Sequence, residues 1–98
     1  MIAYPALFEL DEDGASYNVR FPDLEGCVTY GLNMDDARKN AQEALSVYLE
    51  SLDSRSKDIP VASKLRGENV VYVAPDIRIA FAIQIKKNRA QKGLTQKD

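Results

Sequence analysis

Ninety-eight residues with 45% apolar and 29% charged side chains fit one globular domain, or one small domain with part of another, and exclude a disordered chain. The chain holds no histidine, which removes Cys–His and Ser–His–Asp nucleophiles, His-containing zinc sites and any base naturally poised near neutral pH. A net charge of −2 conceals an asymmetry: residues 1–60 carry 12 acids against 5 bases, whereas residues 78–98 carry 6 bases against Asp98 alone, so two surfaces for two partners are expected.

No apolar run approaches the roughly 18 residues of a spanning helix, and MIAYPALFEL lacks the basic start of a secretion signal. A cytoplasmic protein without a membrane partner is the expectation. The single Cys27, unable to form an internal disulfide, agrees with it.

In chain order, residues 2–10 predict a strand with Tyr4, Ala6, Phe8 and Leu10 on one face; Pro5, lacking an N–H, predicts a free edge or bulge there. Asp11–Gly14 predicts a tight turn. Tyr17, Val19 and Phe21 alternate with polar neighbours as a half-buried strand, and Cys27–Tyr30 forms a third after the PDLEG loop. From Asn33, the spacing of Met34, Ala37, Ala41, Leu45, Tyr48 and Leu52 predicts a helix with one apolar face. Asn33 suits its N-cap, and Asp35 and Asp36 suit the positive end of its dipole. A polar loop follows, then a fourth strand at Val70–Val73. Ile77, Ile79, Phe81, Ile83 and Ile85 alternate as a strand would, yet Pro75, Ala80, Ala82 and the basic run IKKNRAQK favour helix. The pattern alone does not choose, and helix is preferred.

Gly93 suits a closing cap, and Thr95 with Asp98 forms a capping box announcing a helix that the sequence does not continue. A second domain is therefore expected to be cut off here.

Candidate sites are few. Asp11, Glu12, Asp13 and Gly14 lack the alternating ligands and distal glutamate of a calcium loop. Glu9, Asp11, Asp23 and Glu25 could be imagined as a two-metal nuclease cluster, but nothing in the sequence brings the four together. Cys27, beside Gly26, reads as a small buried apolar residue rather than a nucleophile. No catalytic, cofactor or metal residue is assigned, and an enzyme is not expected. Lys86, Lys87 and Arg89 would spread over a wide helical arc, suited to phosphates or equally to the negative end of a helix.

Two segments carry a resemblance. YPALFELDEDGASYNVRFPDLEGCVTYG, then NMDDARKNAQEALSVYLESL and Ile59–Pro60, resembles the HicB antitoxins of bacterial toxin–antitoxin pairs. IKKNRAQKGLTQKD, residues 85–98, looks like the opening of a helix-turn-helix domain of the phage-repressor type. A ribbon-helix-helix beginning at Val70–Val73 is the less favoured alternative.

The resemblance implies an α+β fold: an antiparallel sheet of three to four strands with one long helix packed on it, partly ribonuclease-H-like but without that fold's catalytic acids. A C-terminal helix would then begin a truncated helix-turn-helix. It implies a toxin-binding domain at 1–60, a linker and fourth strand at 61–74, and the incomplete DNA-binding domain at 75–98. The implied function is neutralisation of a HicA-type RNA-cleaving toxin by occlusion, with repression of the protein's own operon. A degenerate metal-dependent nuclease and a stand-alone binding module are the alternatives.

By the same resemblance, Thr95 caps the second helix and Gln96 is a polar DNA contact; Lys86, Lys87, Arg89, Lys92 and Lys97 complete the DNA-binding set. The recognition helix itself is absent, so weak or no operator binding is expected of these residues alone. Asp23 and Glu25 are proposed toxin contacts. Phe21, Pro22, Gly26, Cys27, Gly31 and Asn33 are assigned to architecture, with Gly31 releasing the chain from sheet to helix. A homodimer or higher oligomer is expected because operator half-sites about 34 Å apart meet two-fold dimers. Whether it forms through the sheet, through residues 70–92 or through both is left open.

Overall fold

The computed structural model of the chain describes residues 2–85. β1 (Tyr4–Leu10), β2 (Tyr17–Arg20) and β3 (Val28–Gly31) form a meander; α1 (Met34–Ser54) follows, then β4 (Val70–Val73). Residues 77–85 are helical and are termed α2. The fold is α+β: a four-stranded antiparallel sheet, order β3-β2-β1-β4, with the long helix against one face.

The β1–β2 turn is held by side chains. The Asp11 and Ser16 backbones bond at 2.7 Å, and Gly14 lies at φ +75. The Asp13 carboxylate accepts from the Ala15 and Ser16 amides at 2.9 and 2.8 Å and from the Ser16 hydroxyl at 2.5 Å. These donors hold the Asp13 carboxyl below its ordinary value.

Pro5 sits in an interior strand, paired with Tyr72 of β4. Its missing N–H points to the other side, where β2 has already ended. The β1–β2 ladder ends at Leu7↔Arg20, and the chain then turns at Phe21–Leu24, so no β2 carbonyl stands where the amide that Pro5 lacks would have needed one.

α1 starts where expected. The Asn33 side chain accepts from the Asp36 amide at 2.9 Å, meeting one of the helix's orphan donors, and the Asp36 carboxylate accepts from the Leu32 amide at 2.9 Å, tying the incoming chain to the first turn. Its fully buried row is Ala37, Ala41, Leu45 and Leu49, one residue per turn; Met34, Tyr48 and Leu52 flank it at partial burial. That row meets Tyr4, Ala6, Phe8 and Val19 from the sheet. Leu10, expected in the core, is 56% exposed; it pairs with Tyr17 of β2, but β4 pairs only as far as Leu7 and leaves its other side uncovered.

α1 ends at Ser54 with Arg55 as its C-cap; Ser56 follows at φ 55, its amide bonding the Asp53 carbonyl while the Lys57 amide bonds the Leu52 carbonyl. This is the left-handed reversal most helices reach with glycine. In α2, Ile83 is buried in the same core and Ile79 packs against it. The α2 start is tied to α1: Gln42 donates to the Ala74 carbonyl at 3.2 Å, and the Asp76 amide donates to the Ser46 hydroxyl at 2.7 Å. Among the described residues, no helix is long and apolar enough to cross a membrane.

Candidate protein-docking surface

The FPDLEGC stretch folds as two successive turns. Leu24 bonds back to Phe21 and Cys27 to Leu24, each at 3.0 Å, while Phe21 closes onto Cys27 at 3.1 Å. Phe21, Leu24 and Cys27 are thereby buried, and Gly26 takes the left-handed reversal at φ +80. Pro22, Glu25 and Gly26 are left exposed. Cys27 points its thiol at the Ala44 carbonyl, 3.8 Å away, and burial pushes its pKa up to about 11. A thiol so protonated is a poor nucleophile.

Asp23 has an internal partner: its carboxylate accepts from the Ser63 amide at 2.8 Å. Two tyrosines hold the same segment. Tyr4 donates to the Pro60 carbonyl at 2.5 Å, and Tyr72 donates to the Ser63 and Leu65 carbonyls at 3.0 and 2.9 Å. Burial, reinforced by the Asp23 charge, raises the Tyr4 pKa and keeps that hydroxyl a donor. The stretch between α1 and β4, which reads in sequence as a featureless loop, is thus a strap pinned over one corner of the sheet. Pro5 lies fully buried at that corner.

The rest of the sheet's outer face is open. Strand pairing lays Glu9, Asn18 and Tyr30 in one row, and Val70, Leu7, Arg20 and Val28 in the next. Val28 is 65% exposed and Tyr30 49%. Arg20 lies 3.5 Å from Glu9, an ion pair open to water that contributes under about 1 kcal/mol. Asn18 donates to Asp11 at 3.3 Å. Apolar side chains therefore stand beside Glu9 and Asp11, with exposed Glu12 and Asp13 in the adjoining turn. At the β3 edge, the Tyr30 carbonyl is taken by the Asn40 side chain at 2.8 Å.

The four carboxylates imagined as a nuclease cluster are engaged elsewhere or scattered. Glu9 faces Arg20, Asp11 faces Asn18, Asp23 holds Ser63, and Glu25 is exposed. Among the described residues, no group of three or more His, Cys, Asp or Glu could hold a metal ion. Asn33 caps α1, and Gly31 is buried against it. Lys86, Lys87, Arg89, Lys92, Thr95, Gln96 and Lys97 lie outside the described residues. The strap contacts of Tyr4, Asp23 and Tyr72 escaped sequence reasoning, since a bond to a distant backbone group carries no periodicity.

Comparison with known proteins places this geometry. A UPF0150 protein of Helicobacter pylori is 39% identical over 77 residues, 79% of this chain and 94% of that one. The crystal structure of the Burkholderia pseudomallei antitoxin HicB matches with a TM-score of 0.66 at 27% identity, over 81% of this chain and 67% of that one. A chain of the HicA3 and HicB3 toxin–antitoxin complex matches with a TM-score of 0.56 at 26% identity, over 76% of this chain and 99% of that one. The family model of HicB-like antitoxins of bacterial toxin–antitoxin systems matches residues 4–90. A sheet with one face sealed by a helix and the other left open is thus the body of an antitoxin, and the chain belongs to the HicB-like antitoxin family.

Proposed function

We propose that this protein neutralises a HicA-type toxin by binding it directly and covering its RNA-cleaving centre, performing no chemistry itself. The open sheet face carries the reading. Leu7, Val28 and Tyr30 offer apolar contact there, while Glu9, Asp11, Glu12 and Asp13 supply negative charge for a small basic partner. Aromatic and aliphatic centres with charged rims fix affinity and orientation respectively. Asp23 serves this surface by holding the strap, and Glu25 stands exposed beside it.

The same reading assigns operon repression to the C-terminal segment. The basic residues beyond Ile85 and the GLTQ motif support a DNA-binding role for that segment. Residues 1–60 then form most of the docking body and residues 75–98 lead toward DNA, with the protein acting in the cytoplasm.

The test is co-expression with the small basic protein encoded beside it. Wild type should co-purify with that protein and stop its cleavage of mRNA, and the double variant Val28→Glu, Tyr30→Glu should do neither while melting normally. Continued RNA cleavage in the presence of excess wild type rejects the proposal.

A further inference from the structure

β3 forms one edge of the sheet, paired with β2 alone. In an antiparallel strand the N–H and C=O of a residue point to one side, and the side alternates along the chain. The Cys27 carbonyl accepts from the Phe21 amide, so Cys27, Thr29 and Gly31 face β2. Val28 and Tyr30 therefore face away from the sheet, which is how Asn40 of α1 reaches the Tyr30 carbonyl. Among the described residues, nothing bonds the Val28 amide, the Val28 carbonyl or the Tyr30 amide. Neither a proline nor a charged side chain stands in β3 to blunt this edge. Apolar side chains flank the open groups on both faces. Val28 and Tyr30 stand on the open face of the sheet. Behind the edge, Thr29, Ala44, Val47 and Tyr48 line a groove of about 410 Å³ along α1, with Val47 69% exposed.

We infer that the toxin adds an extended segment of its own chain to β3, bonding to the open backbone groups of Val28 and Tyr30. This pairing, which rests on the toxin-docking reading of the open face, also fixes the toxin's direction and register there. An added strand alternates its side chains, one set continuing over Val28 and Tyr30 and the other entering the groove beside Val47. Main-chain bonds then supply grip, and the groove supplies selectivity. Asn40, by holding the Tyr30 carbonyl, marks where the added strand stops. Charge selects the occupant. Glu43 is the one charged side chain lining the groove. Exposed Glu25 stands at its end, where Tyr48 donates to the Glu25 carbonyl at 2.9 Å. A basic segment finds its counter-charge there. Two copies of this chain joined β3 to β3 would instead set Glu43 and Glu25 against their own counterparts, and like charges repel.

Amide hydrogen exchange, compared between the free chain and its complex with the basic protein encoded beside it, tests the pairing. The Val28 and Tyr30 amides should exchange freely in the free chain and slow by at least about 100-fold in the complex. Val28→Pro removes only an outward N–H, at the first residue of a strand, where proline is tolerated. That variant should melt as wild type does and hold the toxin about 10-fold more weakly. Val47→Lys, which puts a cation into the groove, should also weaken capture, whereas Val61→Lys on the strap should not. Capture of the toxin with both amides still exchanging freely overturns the strand pairing and leaves the toxin-docking reading intact. A Val28→Pro chain that folds and binds with full affinity does the same. Wild type that captures no toxin rejects that reading, and the pairing with it. Concentration-dependent protection of the two amides in the free chain also overturns the pairing, by giving the edge to a second copy.

Discussion

Gly31 of β3 and Ala37 of α1 stand so close that a Cβ on Gly31 would lie 2.2 Å from the Ala37 nitrogen and 2.4 Å from its Cα. Those atoms are helix backbone and cannot step aside. The glycine is therefore a spacing device, fixing how near the first turn of the helix lies to the sheet. Gly31→Ala should destabilise the chain by at least the roughly 1–3 kcal/mol of core overpacking, measured by urea unfolding. Gly67→Ala, where the nearest atom is a Val70 methyl at 3.5 Å, should change stability by under about 0.5 kcal/mol.

Ser56 offers a gain in the opposite direction. It holds φ 55 in the reversal that ends α1, a conformation costly for any residue with a Cβ. Ser56→Gly should raise stability by about 0.5–1 kcal/mol, seen as a higher urea midpoint at unchanged slope. Equal or lower stability would mean that the Ser56 side chain has a compensating contact.

The strap gives Asp23 a role that can be read without any partner. Asp23→Ala removes the acceptor of the Ser63 amide, at a cost of about 1 kcal/mol for a half-exposed charged hydrogen bond. Hydrogen exchange of the Ser63 amide should accelerate, and protease cleavage should concentrate between residues 60 and 66. Unchanged exchange in the free chain would confine Asp23 to intermolecular contact.

Two groups make stability depend on pH, at opposite ends of the scale. The Asp13 carboxyl is lowered by its Ser16 and Ala15 donors, so its contribution is present above the unfolded value near 3.8 and fades as pH falls through the lower folded value. Melting curves of wild type and Asp13→Ala should separate at neutral pH and converge in strong acid. Cys27 behaves conversely: the unfolded thiol ionises near 9.0 and the folded one near about 11, so stability falls as pH rises between them. Cys27→Ala should flatten that alkaline decline, and thiol labelling of wild type at pH about 8 should occur only at the rate of unfolding.

Much of this architecture is legible in the residues. The long helix announces itself because its buried row repeats once per turn, and its flanking Tyr48 and Leu52 strengthen the signal while masking Leu49 as the last fully buried member. FPDLEGC announces a reversal because proline ends a ladder and Gly26 alone can take the turn's positive φ. The alternation of Ile77 to Ile85 misleads for a physical reason. A helix apolar on two opposite sides reproduces the period of a strand, with Ile79 and Ile83 inward and Ile77, Phe81 and Ile85 outward. The strap is illegible because Tyr4, Asp23 and Tyr72 reach backbone groups remote in sequence. The open sheet face shows only once strand register sets Tyr30 beside Asn18 and Val28 beside Arg20.

Gln42 and Ser46 belong to α1, yet they grip the backbone where β4 gives way to α2. The start of α2 is consequently set by a rod laid across the sheet. Adding one residue to that rod ahead of Gln42 would swing both grips by about 100° around its axis and carry Leu45 and Leu49 out of the core with them. The heading of α2 therefore cannot be changed from α1 without breaking the buried row.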